Sequence, residues 1–151
     1  MKVADILATK GSAVVTIQPS ASAGALSQLL REKRIGAAIV SRDGQTIEGV
    51  ISERDLAYGL AVHKESLHAL PVAQLMTKKV ITCDLHDNLA LVASTMLSRN
   101  VRHLPVEDDG RLVGMISMRD VLNMRLNELQ QQTAQLRTLV HEAARPPQDR
   151  E

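Results

Sequence analysis

The chain repeats itself. Gly49-Val50-Ile51-Ser52-Glu53-Arg54-Asp55 returns as Gly114-Met115-Ile116-Ser117-Met118-Arg119-Asp120, 65 residues later. Thr16, Ile35 and Gly44 are answered by Thr82, Val101 and Gly110, each 66 residues on. Val3-Ala4-Asp5-Ile6-Leu7 is answered by Val72-Ala73-Gln74-Leu75-Met76 at an offset of 69. Short loop insertions produce drift of this size, and residues 10–13 and Glu48 lengthen the first copy. Chance does not produce so many matches in one order. The fold must therefore be one that a single α/β unit builds twice.

Each copy reads as β-α-β-β-α behind a short leading helix. The leading helices fall at residues 3–8 and 72–76, and the first strands at 14–17 and 80–83. The second copy then places Leu89, Val92, Ala93, Met96 and Leu97 on one face of a helix. The first copy does the same with Ala25, Leu26, Leu29 and Leu30, although Gly24 weakens the helix start. Hairpins follow at 37–40 with 46–51, and at 103–106 with 112–116. Asp43-Gly44 and Asp109-Gly110 sit at their turns, where glycine admits positive φ. A closing helix begins at each signature serine. The expected organisation is repeat 1 over 1–66, repeat 2 over 67–126, a helical extension over 127–145 and a disordered tail over 146–151.

The extension carries its own pattern. Leu122, Leu126, Leu129, Thr133, Leu136 and Val140 are spaced 4, 3, 4, 3, 4, which is a heptad seam. Such a seam either packs on its own domain or pairs with a partner helix. Its length beyond the repeat favours a partner, most simply a second copy.

Composition narrows the function. Aromatic residues amount to one Tyr, with no Phe or Trp, so the core is aliphatic and no stacking platform for single-stranded nucleic acid exists. The formal net charge of +1 steers the chain to neither nucleic acid nor an anionic membrane. Cys83 is alone, so it forms no intrachain disulfide and reads as a small buried apolar residue. The histidines lack metal-ligand spacing. No signal peptide or spanning segment is expected, which suits a cytoplasmic protein. No nucleophile–base set or Walker loop is present, so the chain is not read as an enzyme.

The repeated signature admits two readings. Ser52 and Ser117 stand where a strand passes into a helix, and Ser-x-x-Asp is a capping box. Capping alone would explain both serines, Asp55 and Asp120. The same geometry suits a ribose-phosphate. A helix N-terminus and a serine hydroxyl favour phosphate, Arg54 and Arg119 add charge, and an aspartate can accept two bonds from a ribose diol. Capping requires neither the arginines nor Gly49 and Gly114, and glycine within a strand signals a bend or a close backbone approach.

These two signatures, the Thr16 and Thr82 strands and Val101-Arg102-His103-Leu104-Pro105-Val106 resemble the cystathionine-β-synthase (CBS) domain over residues 2–126. Two copies resemble a CBS pair, or Bateman module, of the stand-alone kind. The resemblance implies a pseudo-two-fold disc, two clefts that bind AMP, ADP, ATP, NAD or S-adenosylmethionine without any required cofactor, and a flat homodimer. It implies ligand-binding roles for Thr16, Ile35, Gly36, Ala37, Ile51, Ser52, Arg54 and Asp55. It implies the same for Thr82, Val101, Arg102, His103, Ile116, Ser117, Arg119 and Asp120. Arg102-His103 answers to Gly36-Ala37, so phosphate charge is expected to differ between the clefts. The expected function is a nucleotide sensor acting on an unknown regulated protein. The alternative is a ligand-independent scaffold that dimerises through its last helix.

Overall fold

A computed structural model describes residues 1–146. The order is α1 (Val3–Lys10), β1 (Thr16–Ile17), α2 (Ala23–Lys33), β2 (Ala37–Val40), β3 (Gly49–Ser52) and α3 (Glu53–His63). It continues through β4 (Cys83–Asp84), α4 (Leu89–Arg99), β5 (His103–Asp108), β6 (Arg111–Ser117) and α5 (Met118–Ala143). Short 3-10 turns at Lys64–Ala69 and Val72–Gln74 join the halves, and the second replaces the expected leading helix of repeat 2. Each half holds one three-stranded sheet, β1-β2-β3 and β4-β5-β6. In both, the first pair is parallel and the second antiparallel. A parallel neighbour needs a crossover, which α2 and α4 supply.

Local chemistry accounts for the boundaries. Ser22 caps α2 by accepting from the Ala25 amide, and Asn88 caps α4 by accepting from the Ala90 amide. Both helices end in a left-handed residue, Arg34 at φ 54° and Asn100 at φ 53°. Asp109 and Gly110 both take positive φ, 51° and 76°, giving the tight hairpin that Asp-Gly predicts. The first copy departs from that plan. Asp43 instead accepts from the Gln45 and Thr46 amides and two hydroxyls, building a wider loop. Strand pairing is therefore delayed to Gly49, short of the expected start at residue 46.

The expected strand at 80–83 is also shorter, and Thr82 lies outside it. In repeat 1, the Ile39 amide donates to the Val15 carbonyl at 3.1 Å and Thr16 pairs with Ile39. The residue equivalent to Ile39 is Pro105, which has no N–H to donate. Pairing therefore begins one residue later, at Cys83 with Val106.

The cores do not follow the repeats as written in sequence. Val3, Ile6 and Leu7 of α1 pack with Cys83, Leu89, Val92, Leu104 and Val106 of repeat 2. The Val3 and Ala4 amides donate to the Asp87 and Leu85 carbonyls. Reciprocally, Val72 packs with Leu26, Val40 and Ile51 of repeat 1, and its amide donates to the Ala21 carbonyl. Val3 and Val72 are both 0% exposed. Each copy thus sends its leading segment into the other's core.

This exchange explains the signature glycines. A Cβ on Gly114 would stand 2.8 Å from a Leu7 methyl, and one on Gly49 would stand 2.5 Å from the Met76 sulfur. The close approach is made by the exchanged segments and requires no ligand. Burial pushes the Cys83 thiol up to about 12, leaving it protonated and unreactive.

Helix α5 is continuous for 26 residues. Val121 is fully buried, but every residue from 129 to 146 is exposed. The seam does not pack on its own domain: Leu122, Leu126, Leu129, Leu136 and Val140 are all exposed. Of the expected tail, only Pro146 falls within the described residues. Among the described residues no helix is long and apolar enough to cross a membrane.

Candidate functional site: two clefts between the repeats

The exchanged cores press the two halves together and leave a cleft on each side of their contact. The first cleft takes Ser52, Glu53, Arg54 and Asp55 from repeat 1, and Thr77, Lys79, Val80, Ile81 and residues 99–103 from repeat 2. The second inverts that arrangement, with Ser117, Met118, Arg119 and Asp120 facing Lys10, Ala13, Val15 and residues 34–37. Their volumes are about 310 and 650 Å³.

Each helix N-terminus is capped as its sequence predicts. Asp55 Oδ2 accepts from the Ser52 amide at 2.8 Å and from the Ser52 hydroxyl at 3.1 Å. Asp120 Oδ2 accepts from the Ser117 amide at 2.8 Å, and the Ser117 hydroxyl accepts from the Asp120 amide at 3.1 Å. Every one of these carboxylate contacts uses Oδ2. Oδ1 of both aspartates receives no hydrogen bond among the described residues, so capping leaves one acceptor free at each cleft.

The clefts differ in how that carboxylate is held. Lys10 reaches across the repeats to donate to Asp120 Oδ2 at 2.6 Å and to the Met115 carbonyl at 2.9 Å. Burial alone would raise the Asp120 carboxyl, but bonds from Lys10 and Ser117 outweigh it and hold it below its ordinary value. Among the described residues no cation bonds Asp55; Arg54 instead donates to the Asn100 carbonyl at 3.4 Å.

The expected charge imbalance is not found. Arg102 and His103 line both clefts, together with Glu53. The first cleft has Arg54, Lys79, Arg99 and Arg102 against Glu53 and Asp55. The second has Lys10, Arg34, Arg102 and Arg119 against Glu53 and Asp120. The formal charges match. The non-equivalence of Arg102-His103 and Gly36-Ala37 has a steric cause, because these matched positions meet at the contact between the halves. A Cβ on Gly36 would stand 3.3 Å from the His103 ring and 3.3 Å from Glu53 Oε1. Small residues on one side make room for large ones on the other. Burial lowers the His103 imidazole below its ordinary value, so it is neutral at pH 7.

Most of the sequence-predicted residues converge. Ser52, Arg54, Asp55 and Val101 line the first cleft, and Ile35, Gly36, Ala37, Ile116, Ser117, Arg119 and Asp120 line the second. Thr16, Ile51 and Thr82 line neither. Ile51 is fully buried in the repeat 1 core. Neighbours along an extended segment face opposite sides, and the lining falls to Val15 and Ile81 in place of the threonines. Sequence reasoning missed Lys10, Arg34, Glu53, Arg99 and Asn100. One signal was available: Lys10 and Lys79 stand at the 69-residue offset of the leading segments.

Fold and clefts together define a paired α/β module whose two ligand-sized clefts are each built jointly by both repeats. The CBS-domain model matches residues 3–62 and again 72–127, and the chain belongs to the CBS-domain family. A CBS-domain protein of Agrobacterium tumefaciens is 34% identical with a TM-score of 0.80, covering 83% of this chain and 99% of that one. A CBS-domain protein from Pyrobaculum aerophilum, solved complexed with AMP, is 26% identical with a TM-score of 0.68, covering 80% and 89%. The CBS pair of protein MJ0100, solved with 5′-methylthioadenosine and S-adenosyl-L-methionine, is 26% identical with a TM-score of 0.73, covering 82% and 98%.

An uncharacterised Methanopyrus kandleri protein and a mitochondrial CBS-domain protein of Arabidopsis thaliana are each 27% identical over 74% of this chain. The chain spans only 57% and 56% of their lengths. A match to Methanococcus vannielii homoserine O-acetyltransferase is 33% identical over 56% of this chain but takes in only 17% of that enzyme. CBS pairs are generally regulatory and not catalytic.

Proposed function

We propose that the chain is a regulatory module that binds adenosyl ligands of the AMP, ADP, ATP, NAD or S-adenosylmethionine kind in its two clefts. One observation carries this reading: each capped helix end keeps an unused oxygen on an aspartate that lines a cleft built by both repeats. Asp55 and Asp120 would accept from a ribose diol through Oδ1. Ser52, Ser117 and the first-turn amides would meet a phosphate, with charge from Arg54 or Arg119. The base would lie along Val80, Ile81 and Val101 in the first cleft, and along Val15, Ile35 and Ile116 in the second. The neighbours bound to AMP, 5′-methylthioadenosine and S-adenosyl-L-methionine support this class of ligand. A ligand gripping both repeats favours one relative arrangement of them, and so can shift the surface a target reads.

Thermal shift against the five ligands tests the reading. A ligand at 100 times its Kd stabilises the chain by about 2.7 kcal/mol. Absence of any shift, with no adenosyl compound released when freshly purified protein is denatured, refutes it. A second reading, dimerisation through α5, rests on the exposed leucines of the heptad seam. Ending the chain after Glu128 keeps the Met1–Glu128 ion pair and removes most of the seam. Light scattering should then report half the mass; an unchanged mass assigns dimer contacts to other helices.

A further inference from the structure

We propose that the two clefts are anticooperative for phosphate-bearing ligands and that Arg102 is the specificity-determining residue responsible. The inference rests on the adenosyl-binding reading above and concerns how one cleft affects the other. Glu53, Arg102 and His103 form a wall common to both clefts. Arg102 is exposed; its carbonyl accepts from the Met118 amide, but its side chain makes no hydrogen bond or ion pair with any described residue, so the guanidinium is free to turn to either side. A guanidinium grips phosphate through a fixed fork of N–H groups, and a side chain turned into one cleft is turned away from the other.

The rest of the wall offers no substitute. His103 is half-buried and packed against Gly36, and its imidazole is neutral near pH 7. Glu53 is negative and faces both clefts. A phosphate in one cleft therefore draws Arg102 to itself and leaves the other cleft with one cation fewer against Glu53 and its aspartate. An uncharged adenosyl ligand makes no claim on Arg102, so the same two clefts fill independently with it.

Calorimetric titrations with AMP and with adenosine separate coupling from simple inequality. Asp55→Ala and Asp120→Ala chains each keep one working cleft and supply the two single-cleft constants. If the clefts are independent, those constants reproduce the wild-type curve. The expected result is a second AMP bound about fivefold or more weakly than they predict, adenosine within twofold of independence, and AMP restored to independence in Arg102→Gln. Independent binding of AMP, or coupling that survives in Arg102→Gln, overturns the inference while leaving the adenosyl-binding reading intact. Failure of both ligands to bind any chain overturns the reading and the inference together.

Discussion

Gly114→Ala separates packing from ligand access as the reason for the signature glycine. The added Cβ would lie 2.8 and 2.9 Å from the two Leu7 methyl carbons. Carbon atoms in contact prefer about 3.5–4.0 Å, so Leu7 must move. Leu7 is 8% exposed, within the repeat 2 core. Overpacking of this kind costs about 1–3 kcal/mol. Alanine returns about 0.4–1 kcal/mol by restricting the unfolded chain, since φ at Gly114 is not positive. The net loss is about 1–2 kcal/mol. Leu7→Ala alone costs about 2–5 kcal/mol. The three atoms nearest the new Cβ all belong to Leu7, the third at 3.5 Å. With the Leu7 side chain truncated, Gly114→Ala meets no overlap and should stabilise. The cycle should show a coupling of about 2 kcal/mol, within the range of about 0.5–3 kcal/mol for touching residues. Urea unfolding followed by far-UV circular dichroism at fixed protein concentration measures it. Equal effects of Gly114→Ala in both backgrounds would refute the crossing of α1 over β6 as the reason for this glycine.

Three further outcomes follow from the clefts. Copying repeat 2 into repeat 1, as Gly36→Arg with Ala37→His, drives two large pairs into one contact, and should cost about 1–3 kcal/mol or more in chemical unfolding. Arg34 occupies the left-handed region at φ 54°, as Asn100 does at the matched position. Arg34→Asn should therefore raise stability by about 0.5–1 kcal/mol, because asparagine tolerates that region better, while weakening AMP in the second cleft in a single-cleft titration. Asp120 is held below its ordinary 3.8, so it takes up a proton more readily unfolded than folded. Its stabilisation is complete above about pH 4 to 5 and is lost as pH falls through the folded value. Lys10→Met should flatten that acid limb in pH-dependent melts.

The repeat made most of the fold legible. Apolar spacing found the α2 and α4 faces, Asp109-Gly110 found its hairpin, and the signature serines marked both closing helices. The exchange of α1 and the Val72 segment was not legible, because a repeat's sequence does not say whose core its first helix joins. Gly49 and Gly114 announced a close approach without naming Met76 and Leu7 as what approaches. The shortening of β4 could have been read from Pro105, once its counterpart Ile39 was known to donate across the parallel pair. At the site, Ser52, Asp55, Ser117 and Asp120 were found because capping and ligand binding use the same local geometry. Lys10, Arg34 and Glu53 were missed because their roles come from the opposing repeat, and no local pattern carries that.

The two-cleft account stands most directly on the stoichiometry of adenosyl ligand in the full chain and in the Asp55→Ala, Asp120→Ala double variant. Calorimetry with the ligand that gives the largest thermal shift should find two sites per wild-type chain and none in the double variant, which remains folded by circular dichroism. Undiminished binding to the folded double variant would place the ligand elsewhere and contradict the account.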